Sequence, residues 1–271
     1  MTDSTGQTTA DSTPSTDGQV DSEETNGGRT GGEELLTTTG VTYELRSVTI
    51  IDDVSLSLRG GSLHGLVGPN GSGKTTLLEL LAGIRTPTEG SITDSVEHVG
   101  RRVGYLPQRP AFRPTFTVLE TLEFYASLVE DDPADLLERV GLEDAADRRV
   151  DALSGGMTRL LGLAQAMAGS PPIVLLDEPG SGLDPGMRSA TIDVARSLAE
   201  AGTAVLYSTH DLELAEQHCD QLSLIDAGSV AATGSPAALA EQYDAADLRE
   251  VFTTALGGTG DTVAVVGEGN R

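Results

Sequence analysis

Short apolar segments alternate along this chain with longer segments in which apolar side chains recur at helical spacing. The apolar segments are 62–67, 173–176 and 204–207, and the helical ones are 75–84, 154–168 and 187–199. Strands that are apolar on both sides must be covered on both sides, and helices that connect parallel strands provide this cover. The alternation therefore predicts an α/β fold with a mainly parallel core sheet. Further β-rich segments at 48–58, 222–225 and 229–232 add strands before and after this core.

The segment of about residues 110–168 differs from its surroundings, because it has helical periodicity and no strand. Val118–Tyr125 and Ala134–Val140 each space their apolar residues as an amphipathic helix does. We expect this segment to form a helical subdomain that is inserted between two strands of the sheet.

The two ends of the chain differ in composition from the middle. Residues 1–38 are mainly Ser, Thr, Gly, Asp and Glu, and such a segment has too little apolar surface to offset the entropy lost on ordering. We predict a disordered acidic tail there. One globular domain follows at 39–245, and residues 246–271 form a helical or flexible C-terminal tail.

The charge of the chain restricts its partners. Forty-two acidic and 17 basic residues give a formal net charge of −25, which disfavours binding to nucleic-acid phosphates, so we expect no nucleic-acid partner. Acidity spread along the chain, with a single lysine, resembles the proteins of salt-loving microbes and predicts a halophilic source. The single cysteine, Cys219, excludes an internal disulfide. Without a long apolar segment or a signal sequence, a cytoplasmic location is expected.

The single lysine, Lys74, lies in a glycine-rich loop between an apolar strand and a helix. The loop matches the pattern G-x-x-x-x-G-K-[ST], in which backbone N–H groups surround phosphates and the lysine supplies a flexible point charge. The residues predicted to bind the phosphates of a nucleotide are Gly68, Pro69, Asn70, Gly71, Ser72, Gly73, Lys74, Thr75 and Thr76.

Two adjacent carboxylates follow the apolar strand Ile173–Leu176, at the edge where ligands of open α/β sheets bind. Asp177 is suited to hold Mg²⁺, directly or through water. Glu178, whose side chain points the other way, is suited to polarise the water that attacks a γ-phosphate. The alternative is a solvated loop after a core strand.

Four further motifs give the chain a family resemblance. Leu153-Ser154-Gly155-Gly156-Met157 resembles the LSGGQ signature of ABC ATPases and begins its Ser-Gly-Gly core 23 residues before Asp177. Gln108 resembles the Q-loop glutamine, Ser181–Asp184 the D-loop, and His210 the switch histidine. The resemblance covers about residues 40–245. It implies the P-loop nucleoside triphosphatase fold of an ABC-type nucleotide-binding domain, with a small antiparallel β subdomain beside the core sheet.

The resemblance also implies a head-to-tail homodimer, or a pairing with another ABC subunit. One subunit's glycine-rich loop binds MgATP, and the partner's Ser154, Gly155 and Gly156 complete the site at the γ-phosphate through the start of a helix. By the same resemblance, Thr75, Gln108 and Asp177 serve the Mg²⁺ ion, Glu178, His210 and Lys74 serve catalysis, and Asp184 couples the two sites.

Several positions depart from the family pattern. Met157 stands in place of the usual glutamine, Leu160 where an arginine is common, and Gly180 where a threonine is common. Leu45 occupies the position of the aromatic residue that stacks on adenine, while Tyr43 lies two residues earlier. The adenine contact is therefore expected from Tyr43 or from no aromatic residue.

The resemblance implies an ATP-hydrolysing subunit of an ABC transporter, docked on the inner face of the membrane through integral permease subunits. The docking groove would lie between the helical subdomain and Gln108, and the chain would bind no transported substrate itself. The alternative is a soluble ABC ATPase acting on ribosomes or DNA, which the single ABC unit and the negative charge disfavour. The joint presence of Lys74, Asp177, Glu178 and His210 disfavours a binder that does not hydrolyse ATP. Cargo and direction of transport stay open.

Overall fold

The computed structural model describes residue 1 and residues 32–96 and 100–256. The strands are β1 (Glu34–Leu45), β2 (Val48–Val54), β3 (Ser57–Arg59), β4 (Leu63–Val67), β5 (Glu89–Asp94), β6 (Val103–Leu106), β7 (Ile173–Leu176), β8 (Ala204–Thr209), β9 (Gln221–Asp226) and β10 (Ser229–Gly234). The helices are α1 (Lys74–Leu81), α2 (Val118–Ser127), α3 (Pro133–Val140), α4 (Gly155–Met167), α5 (Pro185–Glu200), α6 (Leu212–His218), α7 (Pro236–Gln242) and α8 (Leu248–Ala255).

The core sheet has the strand order β10-β9-β4-β8-β7-β6. Every neighbouring pair is parallel except β9 and β10. β4 and β7 are buried along their whole length, as expected for strands with helices on both faces. Because β4, β8, β7 and β6 are parallel neighbours, the loops that follow them meet at one edge of the sheet. The predicted α/β fold is confirmed.

A second, antiparallel sheet precedes the core sheet along the chain. Its order is β2-β1-β3, and β5 also pairs with β1. Its inward residues, among them Leu36, Val41 and Ile51, pack in one cluster with Leu77 and Leu78 of α1. This packing fixes the small sheet beside the glycine-rich loop that begins α1.

The helical subdomain between β6 and β7 starts with two well-capped helices. Thr117 and Glu120 form a reciprocal capping box at the start of α2. Asp132 caps α3, whose first residue is Pro133, and Gly141 ends it in a left-handed conformation. The apolar faces of both helices pack against α4 within the main core. The predicted helical insertion is therefore present. Because α4 begins within the signature motif, the packing of α2 and α3 against α4 holds that motif in place.

The predicted boundaries of the globular domain were too narrow at both ends. β1 begins at Glu34, so residues 34–38 are a strand and not part of a disordered tail. Leu36 and Thr38 are buried, and the Thr38 hydroxyl accepts from Leu56 N at 2.8 Å. The polar composition of this segment concealed the alternation of buried and exposed residues that is typical of a strand. At the other end, α8 buries Leu248 and Val251 in the main core. The remaining tail segments, 2–31 and 257–271, lie outside the described residues.

A search of the described helices finds none with the length and apolar character needed to cross a lipid bilayer.

Candidate functional site

A cavity of about 400 Å³ lies where the loops after β4, β6, β7 and β8 meet. Its lining consists of Ile50, Asn70, Gly71, Gly73, Lys74, Thr75, Thr76, Gln108, Glu178, Ser181 and His210. The fold thus brings the glycine-rich loop, the candidate Q-loop glutamine, the second carboxylate and the candidate switch histidine to one site, although they are far apart in sequence.

The glycine-rich loop leaves the start of α1 open toward this cavity. Gly73 is the N-cap of α1, with a φ of 102° that an L side chain rarely adopts and with no side-chain hydrogen bond to the helix. A Cβ atom at Gly73 would also lie 2.8 Å from Ile51 Cδ1. The first N–H groups of α1 therefore have no side-chain acceptor, and such a helix start binds anions.

Lys74 turns its side chain back over the loop. Its ammonium donates to Gly68 O at 2.9 Å and to Pro69 O at 3.0 Å. The same Nζ atom lies 3.3 Å from Glu178 Oε1, and the two side chains are only 5% and 7% exposed. A buried cation with carbonyl and carboxylate partners is held at the point where phosphate groups would enter the loop.

Glu178 is the centre of a polar cluster. Its backbone has a φ of 46°, Oε2 accepts from Gln108 Nε2 at 3.2 Å, and Oε1 lies 3.7 Å from His210 Nδ1. Burial raises the pKa of the Glu178 carboxyl, but the charges of Lys74 and His210 and the hydrogen bonds from Lys74 and Gln108 outweigh burial and hold the pKa below its ordinary value. The carboxylate is therefore ionised at neutral pH and can accept a hydrogen bond from water.

Asp177 lies deeper than Glu178 and is fully buried. Its Oδ1 accepts from the Ser208 hydroxyl at 2.9 Å, while Oδ2 is buried without a hydrogen-bond partner. Burial raises the pKa of the Asp177 carboxyl, against the opposing effect of the Thr75 and Ser208 hydroxyl groups. A buried carboxylate oxygen without a partner, near a threonine hydroxyl, is a donor set of the kind that Mg²⁺ prefers.

Ser208, which sequence reasoning missed, joins the two carboxylate residues. Its hydroxyl donates to Asp177 Oδ1 and accepts from Glu178 N, both at 2.9 Å. The residue is fully buried in β8. A serine after the apolar residues of β8, two residues before His210, was the signal in the sequence.

The signature motif lies apart from this cavity. Ser154 caps α4, where its hydroxyl accepts from Met157 N at 3.2 Å, and Gly155 beside it is exposed. Although all of the motif is among the described residues, neither Ser154, Gly155 nor Gly156 lines the cavity. Asp184 is also outside it, exposed at the start of α5, where it accepts from Met187 N at 3.0 Å.

The structure explains two of the departures from the family pattern. A Cβ atom at Gly180 would lie 3.0 Å from the Tyr207 hydroxyl and 3.1 Å from Arg188 Cγ, so a threonine there would require these side chains to shift by a few tenths of an ångström. Leu160 is 4% exposed and packs in the main core, where an apolar side chain is favoured over a charged one.

The Tyr43 side chain is engaged elsewhere. Its hydroxyl accepts from Arg85 Nη1 at 2.9 Å, and the Arg85 guanidinium lies 5.5 Å from the ring centroid. Ile50, and not Tyr43, lines the cavity. Leu45, at the family's stacking position, is 48% exposed.

Comparison with known proteins shows which family the chain resembles. Residues 51–181 match the family model described as "ABC transporter". The chain is 39% identical over 217 residues to the Nod factor export ATP-binding protein I of Burkholderia orbicola, covering 75% of this chain and 71% of the relative. It is 37% identical over 236 residues to the protein of that name from Ralstonia nicotianae, covering 82% and 74%. A solved structure described as "Structure of ATP binding subunit of ABC transporter" is similar with a TM-score of 0.74 and 25% identity, covering 82% of this chain and 99% of that chain.

Proposed function

Because this chain belongs to the ABC transporter family of ATP-binding proteins and is an ATPase, we propose that it is the energy-coupling subunit of an ABC transporter. Two such subunits associate head to tail around ATP, and hydrolysis separates them. Integral permease subunits bind the transported substrate, and the association and separation of the ATP-binding subunits change the conformation of the permease. The chain itself is cytoplasmic and peripheral on the inner face of the membrane.

One observation carries the proposal: the cavity holds the glycine-rich loop and Glu178, while Ser154 stands at an exposed helix start outside it. The exposed start of α4 has free N–H groups and a positive dipole end, which suit a γ-phosphate. Because the start of α4 does not line the cavity of its own subunit, it would contact the phosphate bound by a second subunit. A head-to-tail pair satisfies both half-sites at once.

Within each site, the residues divide the chemistry. Lys74 and the N–H groups of residues 69–76 hold the β- and γ-phosphates. Asp177, through its unpartnered Oδ2, and Thr75 would hold Mg²⁺, with Gln108 reaching the same ion. The ion, when bound, neutralises negative charge on the phosphate oxygens.

Glu178 is the proposed base that polarises the attacking water. Its ionised carboxylate is the group able to accept that water's proton or hydrogen bond. His210, 3.7 Å away, orients the carboxylate and reaches toward the γ-phosphate. Asp184, at the start of α5, couples the two sites across the dimer interface.

The permease would dock on an apolar groove of the helical subdomain. A cavity of about 330 Å³ lies there, lined by Ala111, Phe112, Arg113, Pro114, Phe116, Thr121, Phe124 and Tyr125. Phe124 is 49% exposed. The residues of the groove begin three positions after Gln108 in the sequence. A permease segment bound there would therefore influence the position of Gln108 in the active site. The relatives are named as export proteins, which favours export by this chain too.

The test is the Glu178→Gln variant in size-exclusion chromatography with ATP and Mg²⁺ at high salt. The amide removes the water-polarising charge but leaves the phosphate loop intact, so we expect a stable ATP-bound dimer and at least about a hundredfold slower hydrolysis. Glu241→Gln, on an exposed part of α7, is the matched control and should behave as the unmodified chain. A monomeric Glu178→Gln variant that still hydrolyses ATP would refute the proposal.

A further inference from the structure

Arg159, on the second turn of α4, ties together the two active-site loops that follow β6 and β7. Its Nη1 atom donates to Gln108 O at 2.6 Å and to Glu178 O at 3.1 Å. Its Nη2 atom donates to Ser181 O at 3.4 Å. Gln108 lies in the candidate Q-loop after β6, while Glu178 and Ser181 lie in the single loop that joins β7 to α5 and includes the D-loop. One guanidinium therefore joins two of the loops beside the cavity.

Burial of this guanidinium costs hydration free energy, and three defined hydrogen bonds fix its position. Arg159 is half-buried, and its acceptors are all neutral backbone carbonyls. Burial lowers the pKa of the Arg159 guanidinium, while the charges on Asp177 and Glu178 act in the opposite direction. The guanidinium presents its donors from separate nitrogen atoms in a rigid planar fork, whereas an ammonium group presents all of its donors from one nitrogen atom.

The first turn of α4 also packs closely against α5 and the D-loop. A Cβ atom at Gly156 would lie 2.7 Å from Met187 Cε and 3.6 Å from Leu183 Cδ2. Together with the hydrogen bond from Arg159 to Ser181, this packing joins the start of α4 to the D-loop and to the start of α5.

We propose that Arg159 is a positioning residue that couples the signature helix to the subunit's own catalytic glutamate. The inference rests on the proposed function, in which Ser154, Gly155 and Gly156 contact the nucleotide of the second subunit. When that nucleotide binds, α4 moves as a body, and Arg159 carries the movement to Gln108 and Glu178. ATP at one site thereby sets the geometry of hydrolysis at the other.

The experiment compares Arg159→Met and Arg159→Lys with the unmodified chain. Steady-state ATP hydrolysis gives kcat and the Hill coefficient, calorimetry gives the Kd for ATP, and thermal melting gives Tm. Because small misplacements of catalytic groups cost up to about a hundredfold, we expect Arg159→Met to lower kcat by about tenfold or more. The Kd for ATP should change less than about twofold, and the Hill coefficient should fall toward 1. Arg159→Lys, which retains part of the donor set, should recover kcat partly.

Arg139→Met is the matched control, because Arg139 is exposed on α3. An Arg159→Met variant that is folded and keeps both kcat and the Hill coefficient overturns the inference. If Arg159→Met does not fold, Arg159→Lys decides alone, and an unchanged Hill coefficient overturns it. Failure of the proposed function has a different signature, because the unmodified chain would then show a Hill coefficient of 1 and Glu178→Gln would not dimerise.

Discussion

Lys74 Nζ lies 3.3 Å from Glu178 Oε1, and both groups are buried. The cation assigned to the phosphates thus also neutralises the carboxylate assigned to the water. An entering phosphate competes with Glu178 for the ammonium, which would release the carboxylate only when nucleotide is present. Phosphate binding by Lys74 and water polarisation by Glu178 therefore depend on the same ionic contact.

Lys74→Ala should weaken ATP binding by at least about tenfold, or ~1.4 kcal/mol, because the charge that faces the phosphates is lost. The variant also removes the cation that holds the Glu178 pKa down, so this pKa should rise toward the value that burial imposes. Calorimetric titration with ATP measures the first effect, and Arg249→Ala, exposed on α8, is the control. An unchanged Kd would remove Lys74 from the phosphate site.

Ser208→Ala should reduce both stability and turnover. It leaves Asp177 Oδ1 and Glu178 N without their buried partner, and a lost hydrogen bond to a charged group costs about 1.5–3 kcal/mol. Because Glu178 loses its backbone anchor, we expect kcat to fall about tenfold with little change in the Kd for ATP. The measurements are denaturant unfolding and steady-state hydrolysis. Ser197→Ala, exposed on α5, should leave both unchanged; equal effects in the two variants would contradict the role of Ser208.

The raised pKa of Asp177 makes the stability of the metal-free chain depend on pH. A carboxyl with a higher pKa in the folded state binds protons more tightly when folded, so it stabilises below its unfolded pKa and loses that contribution as pH rises through the folded pKa. At pH 7 without Mg²⁺, Asp177→Asn should therefore raise Tm, because the amide is buried without a charge.

The difference should shrink as pH falls through the folded pKa of Asp177, and calorimetric melting at a series of pH values measures it. The contribution of Glu178 to the stability of the folded chain depends on pH in the opposite direction. Because its pKa is lowered in the folded state, Glu178 stabilises the fold above its unfolded pKa, and this contribution is lost as pH falls through the folded pKa. Asp52→Asn, exposed on β2, controls for surface charge. A gain in Tm that does not vary with pH would exclude Asp177 as its source.

The adenine contact is expected to be aliphatic. Tyr43 is held by Arg85, whereas Ile50 lines the cavity. Tyr43→Leu should therefore change the Kd for ATP less than about twofold. Ile50→Ala should weaken binding by about fivefold, which corresponds to ~1 kcal/mol of lost apolar contact. Competition with a fluorescent ATP analogue compares the two variants, and a larger effect at Tyr43 would restore it as the stacking residue.

Local patterns in the sequence were sufficient for the fold class and for the location of the phosphate loop. Strand and helix periodicities are local properties, and the motif around Lys74 specifies its own backbone, so neither depends on distant contacts. The boundary at Glu34 was missed because β1 buries Thr38 through a hydrogen bond to a neighbouring strand, which composition does not reveal. The halophilic source remains a prediction from charge alone.

The sequence by itself determined which residue types could carry out phosphate chemistry, namely Lys74, Asp177 and Glu178, because their spacing in strand, loop and helix is encoded locally. Only the tertiary structure decided how these groups are held. Ser208 bridges Asp177 and Glu178 from a different strand, and Arg159 reaches two loops from a helix. Such contacts join residues far apart in the chain, and they exist only after the parallel strands bring their carboxyl ends to one edge.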